Sequence, residues 1–587
     1  MERYLNNEDI LKFGTFNHNQ IFFIQRWLEL LNIHTHSKYA VRFLNTHQAL
    51  KELNYVCNEM IEGNIKRNDN HLRLVFQEVK KVLEEDVIFK ENAHSHFKIL
   101  ENSLQSAPKA DNVSKLYSII FQIEYVLRHI NTKYLTWIIT NLNQMLSSNE
   151  KKYGKIERDI QILASELLGR GWSADALYSL VNESYKDDTY SVEGRFEKLF
   201  SKFNDDPQTY VFLFAIKNSI ATDTKAHLIE LGREVLNGEE VVNTYSGYDL
   251  EKNISKVKEY IRIITQCYDT YSGVNKAWQS LVGSLDILNF YGFNIPDIDT
   301  APIILVPDSQ TYIRNVKVDL VAKKRKFKAP ETIMNRVHSQ LKSSNTDVNR
   351  KIQSLFEFSR ISEESLSPQS TFINLWIAIE SFAQSNEFDG GIENVKMVVS
   401  ASATHNYLYG LLRNFLEDCN RCGLEVTFEG TTYQIGKLSP QEALYLFWND
   451  EFYEIMKIEC EHLNYLLAFR YTELFSILKD GKKCANLLEF HKENIQQHVH
   501  RLYRIRNAIV HSGEMQYSIN LFTKHLYEYI QYVMSVVMHR LAEEPTVYLE
   551  QIFAQVRDSV DATIETLKNS RLLDEDAYFS LLLKGAF

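Results

Sequence analysis

Glycine and proline are scarce in this chain of 587 residues, at 21 and 9, against usual shares of about 7% and 5%. So few backbone breakers exclude a many-turned sandwich or propeller and favour long helices. Six cysteines in a chain this long cannot make a disulfide framework and read as reduced thiols. No apolar run approaches the roughly 20 residues that a membrane-spanning helix needs. The opening Met1-Glu2-Arg3-Tyr4-Leu5-Asn6-Asn7-Glu8-Asp9 lacks the basic-then-apolar pattern of an export signal. The expectation is a cytoplasmic protein with no membrane partner. Basic excess is lacking too: a net charge of -11 excludes a polybasic nucleic-acid coat, so any such contact must be local.

What is present is ordinary globular composition, 44% hydrophobic and 24% charged, in a length that suits three or four domains. The expected fold is mainly α: a multi-domain helical protein with a small α/β middle module and a C-terminal helical bundle. Residues 1–195 read as a helical domain, with Leu72, Val75, Phe76, Val79, Val82 and Leu83 at three- and four-residue steps. From Val113 to Leu146 the chain is apolar over much of its circumference, as one central helix or a pair broken near Asn131-Thr132. Gly169 to Gly171 interrupts the helices, and Ser173 suits an N-cap.

Residues 196–335 read as the α/β module. Tyr210 to Ile216 has the pattern of a buried strand, followed by a helix from about Thr224 to Leu236. Prolines 296, 302, 307 and 330 bracket the run Ile303 to Val306, and the alternation of Val316, Val318, Leu320 and Ala322 predicts a further strand. Lys323, Lys324, Arg325 and Lys326, with Lys328, form a cation run. It reads as a solvated strand end or as a contact to an RNA backbone. Residues 340–545 return to helical periodicity, interrupted by a hairpin in which Val426, Phe428, Tyr433 and Ile435 flank a turn at Gly430. Pro545 then separates a helical appendage, 546–587.

Several apparent motifs carry no chemistry. Gly430 to Lys437 has five residues rather than four between its glycines, and Leu438 stands where a phosphate loop needs a hydroxyl. Cys419-Asn420-Arg421-Cys422 is a single CxxC, with Cys460 and His462 as conceivable completing ligands, and zinc wants four ligands brought together. His34/His36 and His94/His96 lie in polar surroundings and read as surface residues. No metal or cofactor is expected.

The segment from His500 to Gly513 is different. An Arg-x4-His spacing alone arises by chance, and Arg42 to His47 is such a decoy. Here, however, Ile495, Val499, Leu502, Ile509 and Val510 fall on one helical stripe, and Arg506 lies within it. An arginine on a core-facing stripe is costly unless it is paired or placed at an interface. Asn507 and His511 are i,i+4 neighbours round the side, Arg501 and Arg504 add positive charge suited to RNA, and Gly513 suits a helix stop.

Arg506-Asn507-Ala508-Ile509-Val510-His511-Ser512-Gly513 resembles the motif of the HEPN superfamily of helical ribonucleases and nucleotide-binding proteins, in its ApeA-type anti-phage branch. Leu375-Trp376-Ile377-Ala378-Ile379-Glu380-Ser381-Phe382 is similar to that family's early helix. The resemblance implies a metal-independent endoribonuclease. The substrate's 2′-OH attacks the adjacent phosphate, His511 handles the proton, Arg506 stabilises the phosphate charge, Asn507 orients the histidine or binds the phosphate, and Glu380 supports Arg506. It also implies a homodimer or higher assembly through 340–545. The implied role is an abortive-infection effector cutting tRNA or other single-stranded RNA, with a phage-derived or regulatory protein or ligand acting on the N-terminal region. The competing reading is a catalytically inactive HEPN nucleotide- or RNA-binding scaffold. The RNA target and the activating signal are not legible in the sequence.

Overall fold

The computed structural model describes residues 5–31, 44–65, 67–320, 334–335, 338–340, 346–511 and 519–584. The protein is mainly α, and the helices pack around four principal cores. Among the described residues no helix is long and apolar enough to cross a membrane.

The first helical unit runs from Asn7 to Phe203 around one core. The apolar stretch that begins at Val113 is a helix pair, Val113–Ile130 and Tyr134–Leu146, broken at Asn131. Helix Tyr153–Arg170 ends on Gly171 at φ 107°, a left-handed stop that costs glycine little. Ser173 caps the next helix by accepting from the Ala176 amide at 3.0 Å.

Next come five strands: β1 (Gln208–Ala215), β2 (Glu234–Asn237), β3 (Glu259–Cys267), β4 (Ile303–Val306) and β5 (Thr311–Ile313). They make one sheet in the order β2-β3-β1-β4-β5, antiparallel at every pairing. β1 reads as an unbroken apolar run because it is central and covered on both faces. Phe212 and Phe214 pack with helix Thr270–Phe290, while Val211 and Leu213 pack with Val241, Leu250 and Ile254. Two expectations are corrected here. The helix expected to reach Leu236 ends at Glu230, because Gly232 at φ 77° breaks it and the chain turns into β2. Val316 and Val318 are buried, as their alternation implies, but they join no ladder and the segment is irregular. Ala322 lies outside the described residues.

The C-terminal region holds two cores rather than one. Helices Thr346–Glu364, Pro368–Phe382, Gly391–His405 and Ile519–Glu543 enclose the first. Helices Tyr407–Cys422, Pro440–Trp448, Asp450–Leu463, Tyr465–Leu478 and Glu575–Leu582 enclose the second, together with the hairpin β6 (Glu425–Phe428) and β7 (Thr431–Gln434). The hairpin turns at Glu429 and Gly430, both at positive φ. The insertion expected as a hairpin is therefore a whole helical sub-bundle. Two helices run through both cores. Gly481–His511 gives Cys484 and Leu488 to the second and Ile495, Val499 and Leu502 to the first; Leu549–Lys568 gives Phe553 and Val556 to the first and Val560, Ile564 and Leu567 to the second. Helices Leu549–Lys568 and Glu575–Leu582, within the stretch 546–587 expected as an appendage, complete both cores. Phe553→Ala and Ile564→Ala should each destabilise the C-terminal region by roughly 2–5 kcal/mol, as buried large-to-small changes do. Thermal melting measures this, and wild-type melting of both variants contradicts the two-core packing.

Candidate functional site

Helix Gly481–His511 has 31 residues, about 46 Å at 1.5 Å per residue. Its stripe through Ile495, Val499 and Leu502 is buried in the bundle, as the periodicity requires. Arg506 continues that stripe where the core gives out and is half-buried. Its Nη1 donates to Asn507 Oδ1 at 3.1 Å, and its Nε is buried with no partner. No carboxylate pairs with Arg506 among the described residues. Asn507 is half-buried and His511 is exposed at the end of the described helix. Val510, expected on the core stripe, is instead 50% exposed, because it sits on the far edge of the stripe. Gly513 lies outside the described residues. A guanidinium with unspent donors, a carboxamide beside it and an open imidazole one turn on are together able to bind an anionic oxygen and exchange a proton.

Glu380 does not reach Arg506. One of its carboxylate oxygens accepts from the indole nitrogen of buried Trp376 at 3.0 Å, an i,i+4 contact on its own helix. Trp376 in turn packs against Tyr503, with ring centroids 5.8 Å apart. The early-helix motif thus braces the long helix through rings, not through a carboxylate–guanidinium pair.

Arg501 and Arg504 are not free cations for a phosphate backbone. They are 2% and 4% exposed and pair with the N-terminal unit. Arg501 Nε donates to Glu52 at 2.8 Å and its Nη2 to Glu78; Arg504 donates to Glu52, and its Nη1 lies 3.4 Å from His71 Nε2. The two guanidiniums hold the Glu52 carboxyl down at about 2 against the opposing pull of burial. Burial beside these cations pushes His71 down to about 3 and His500 to about 2, so both imidazoles are neutral. At 100° per residue His500, Arg504, Asn507 and His511 share one stripe. The N-terminal unit covers its first half and leaves the last turns open.

The carboxylate side of this clamp is invisible when the long helix is read alone. Its signal lies elsewhere: Glu52 and Glu78 sit among Ala49, Leu50, Leu53 and Val56, and Val75, Phe76 and Val79, which are buried. An acid within an apolar stripe calls for a buried partner, as Arg506 does. Lys323, Lys324, Arg325 and Lys326 lie outside the described residues, as do Arg42, His34 and His36. The decoy His47 is buried, 2.9 Å from Glu166 and 2.6 Å from Asn131. Cys419, Cys422 and Cys460 are buried free thiols. Burial pushes Cys422 up to about 12, and Cys419 and Cys460 also upward, which opposes the thiolate form a metal takes. Among the described residues no group of three or more His, Cys, Asp or Glu is placed to hold a metal ion.

No protein-family model matches this chain, and neither a curated protein nor a solved structure matches it significantly.

The clamp has a pH signature. His71 and His500 titrate in the folded protein well below the ordinary 6.5, so between pH 6.5 and about 3 the unfolded chain binds more protons. Stability must therefore fall as pH falls through that window, by about 2 kcal/mol per imidazole at pH 5. The Glu52 contribution is present above about 4.5 and lost as pH falls toward 2. His500→Gln should flatten the fall in melting temperature between pH 7 and 5, whereas Glu52→Ala should cost about 3–5 kcal/mol at neutral pH by stranding buried guanidiniums. Unchanged pH profiles in His500→Gln contradict the neutral, buried imidazole.

Proposed function

We propose that this protein is a metal-independent endoribonuclease acting on tRNA or another single-stranded RNA as a cytoplasmic anti-phage effector. The observation that carries the reading is the condition of Arg506: half-buried on a core stripe, bonded to Asn507, with a buried Nε that nothing among the described residues satisfies. Such a donor is costly to keep, and a phosphoryl oxygen satisfies it.

In the reaction, the ribose 2′-oxygen attacks phosphorus and gives up its proton while the bond to the 5′-oxygen breaks. The 5′-oxygen takes a proton, leaving a 2′,3′-cyclic phosphate and a 5′-OH. His511 carries one of these protons, and Arg506 holds the charge on the five-coordinate phosphorus. Five residues turn the helix by about 140° between Arg506 and His511, so one helix converges poorly on one phosphate. A two-fold assembly of the C-terminal bundle brings two helix ends together and makes a composite site. The N-terminal unit, clamped to the same helix through Arg501 and Arg504, is where a phage-derived or regulatory partner acts.

The wild type, Arg506→Ala and His511→Ala should be expressed side by side, with RNA cleavage assayed in EDTA and the RNA ends mapped. Each variant should lose at least about 100-fold in cleavage, and cyclic-phosphate ends should appear with the wild type alone. Identical RNA profiles in all three remove the enzyme and leave a binding or scaffold protein. A monomer in sedimentation that still cleaves RNA removes the composite site.

A further inference from the structure

A cleft of about 570 Å³ lies between the N-terminal unit and the second C-terminal core, within the size range of small-molecule sites. Its two walls differ in character. The C-terminal wall is aromatic, with Tyr407, Phe415, Phe469 and Phe490, and His491 stacks on Tyr407 at 3.7 Å between centroids and 8° between planes. The N-terminal wall is polar.

Asn494 lines this cleft from the long helix. It is only 9% exposed, and its Oδ1 is buried with no hydrogen-bond partner. A buried carbonyl oxygen left unpaired is costly, and a ligand N–H satisfies it. The charges in the walls say what else the ligand carries. Arg26 is paired with Glu29 and Glu157, Arg158 with Asp159, and Arg470 with Glu29 and Asp418. Lys81 sits 3.7 Å over the Phe490 ring, while Glu85 and Glu78 offset its charge. No cation surplus remains for a polyphosphate.

We infer that the cleft is a binding site for an uncharged, planar nitrogen heterocycle with an exocyclic amine, of the size of a nucleobase or nucleoside. Its face lies on the aromatic wall and its N–H donates to Asn494 Oδ1. The opposite side of the cleft is closed by the N-terminal unit, through Glu78, Lys81 and Glu85 among others. Glu78 lines the cleft and also holds Arg501, which places the bound ligand next to the clamp. This inference does not rest on the ribonuclease reading.

Binding to the purified full-length chain is measured by calorimetry and thermal melting with adenosine, adenosine 5′-monophosphate and purine riboside, which lacks the exocyclic amine. Adenosine should bind and raise the melting temperature. Purine riboside should bind at least tenfold more weakly, and the monophosphate no more tightly than adenosine. Asn494→Leu should lose at least tenfold for adenosine and abolish the preference for the amine, while its unliganded form melts no lower than wild type. If that variant fails to fold, Phe490→Ala at the rim carries the same test through a tenfold loss for adenosine. No binding by adenosine, equal binding of the two ribosides to wild type, or tight binding of the monophosphate alone each overturns the proposal.

Discussion

Two guanidiniums and two carboxylates, all withdrawn from water, join the N-terminal unit to the helix that carries the candidate residues. Such a cluster is a poor adhesive. Desolvating four charges offsets most of what their attraction returns, and a well-packed apolar patch would bind as firmly. What the cluster supplies is direction. Glu52 meets both Arg501 and Arg504, so the unit can sit on the helix in one register without stranding a charge. Neutral His71 and His500 belong to the same arrangement, since a further positive charge beside two guanidiniums would oppose it.

The long helix gives that register a reach. Fixed in one core by Cys484 and Leu488 and in the other by Ile495 to Leu502, it passes in turn through the cleft at Asn494, the clamp at Arg501 and Arg504, and the open turns at Arg506 to His511. From Asn494 to Arg506 is about 18 Å along the axis. Any change in how the N-terminal unit sits on this helix acts on one continuous rigid element, not through a chain of loops. The absence of glycine and proline between Lys482 and His511 is what keeps it continuous.

Local patterns are legible where one element meets one core. β1, the hairpin at Gly430, the break at Asn131 and the Ser173 cap are each decided by a few neighbouring residues, through periodicity, a turn glycine or a capping hydroxyl. Local patterns mislead where the deciding partner lies far off in the chain. Val316 and Val318 alternate because a core lies on one side of them, and alternation cannot say whether a neighbouring strand exists. Arg501 and Arg504 look like any solvated face until Glu52 and Glu78 arrive, more than 400 residues earlier. The helix after Pro545 looked peripheral, because nothing in a terminal amphipathic helix counts how many cores it touches.

The sequence by itself determined that the chain is mainly helical, that a buried strand starts near Tyr210, and that Arg506 occupies a stripe otherwise reserved for apolar side chains. These follow from backbone preference and the 3.6-residue period, which act within a few turns. Only the tertiary structure decided that Glu380 does not reach Arg506, that Arg501 and Arg504 are spent on another domain, and that no carboxylate among the described residues pairs with Arg506. Charge is long-ranged and indifferent to sequence position, so the partner of a buried cation is chosen by which surfaces meet.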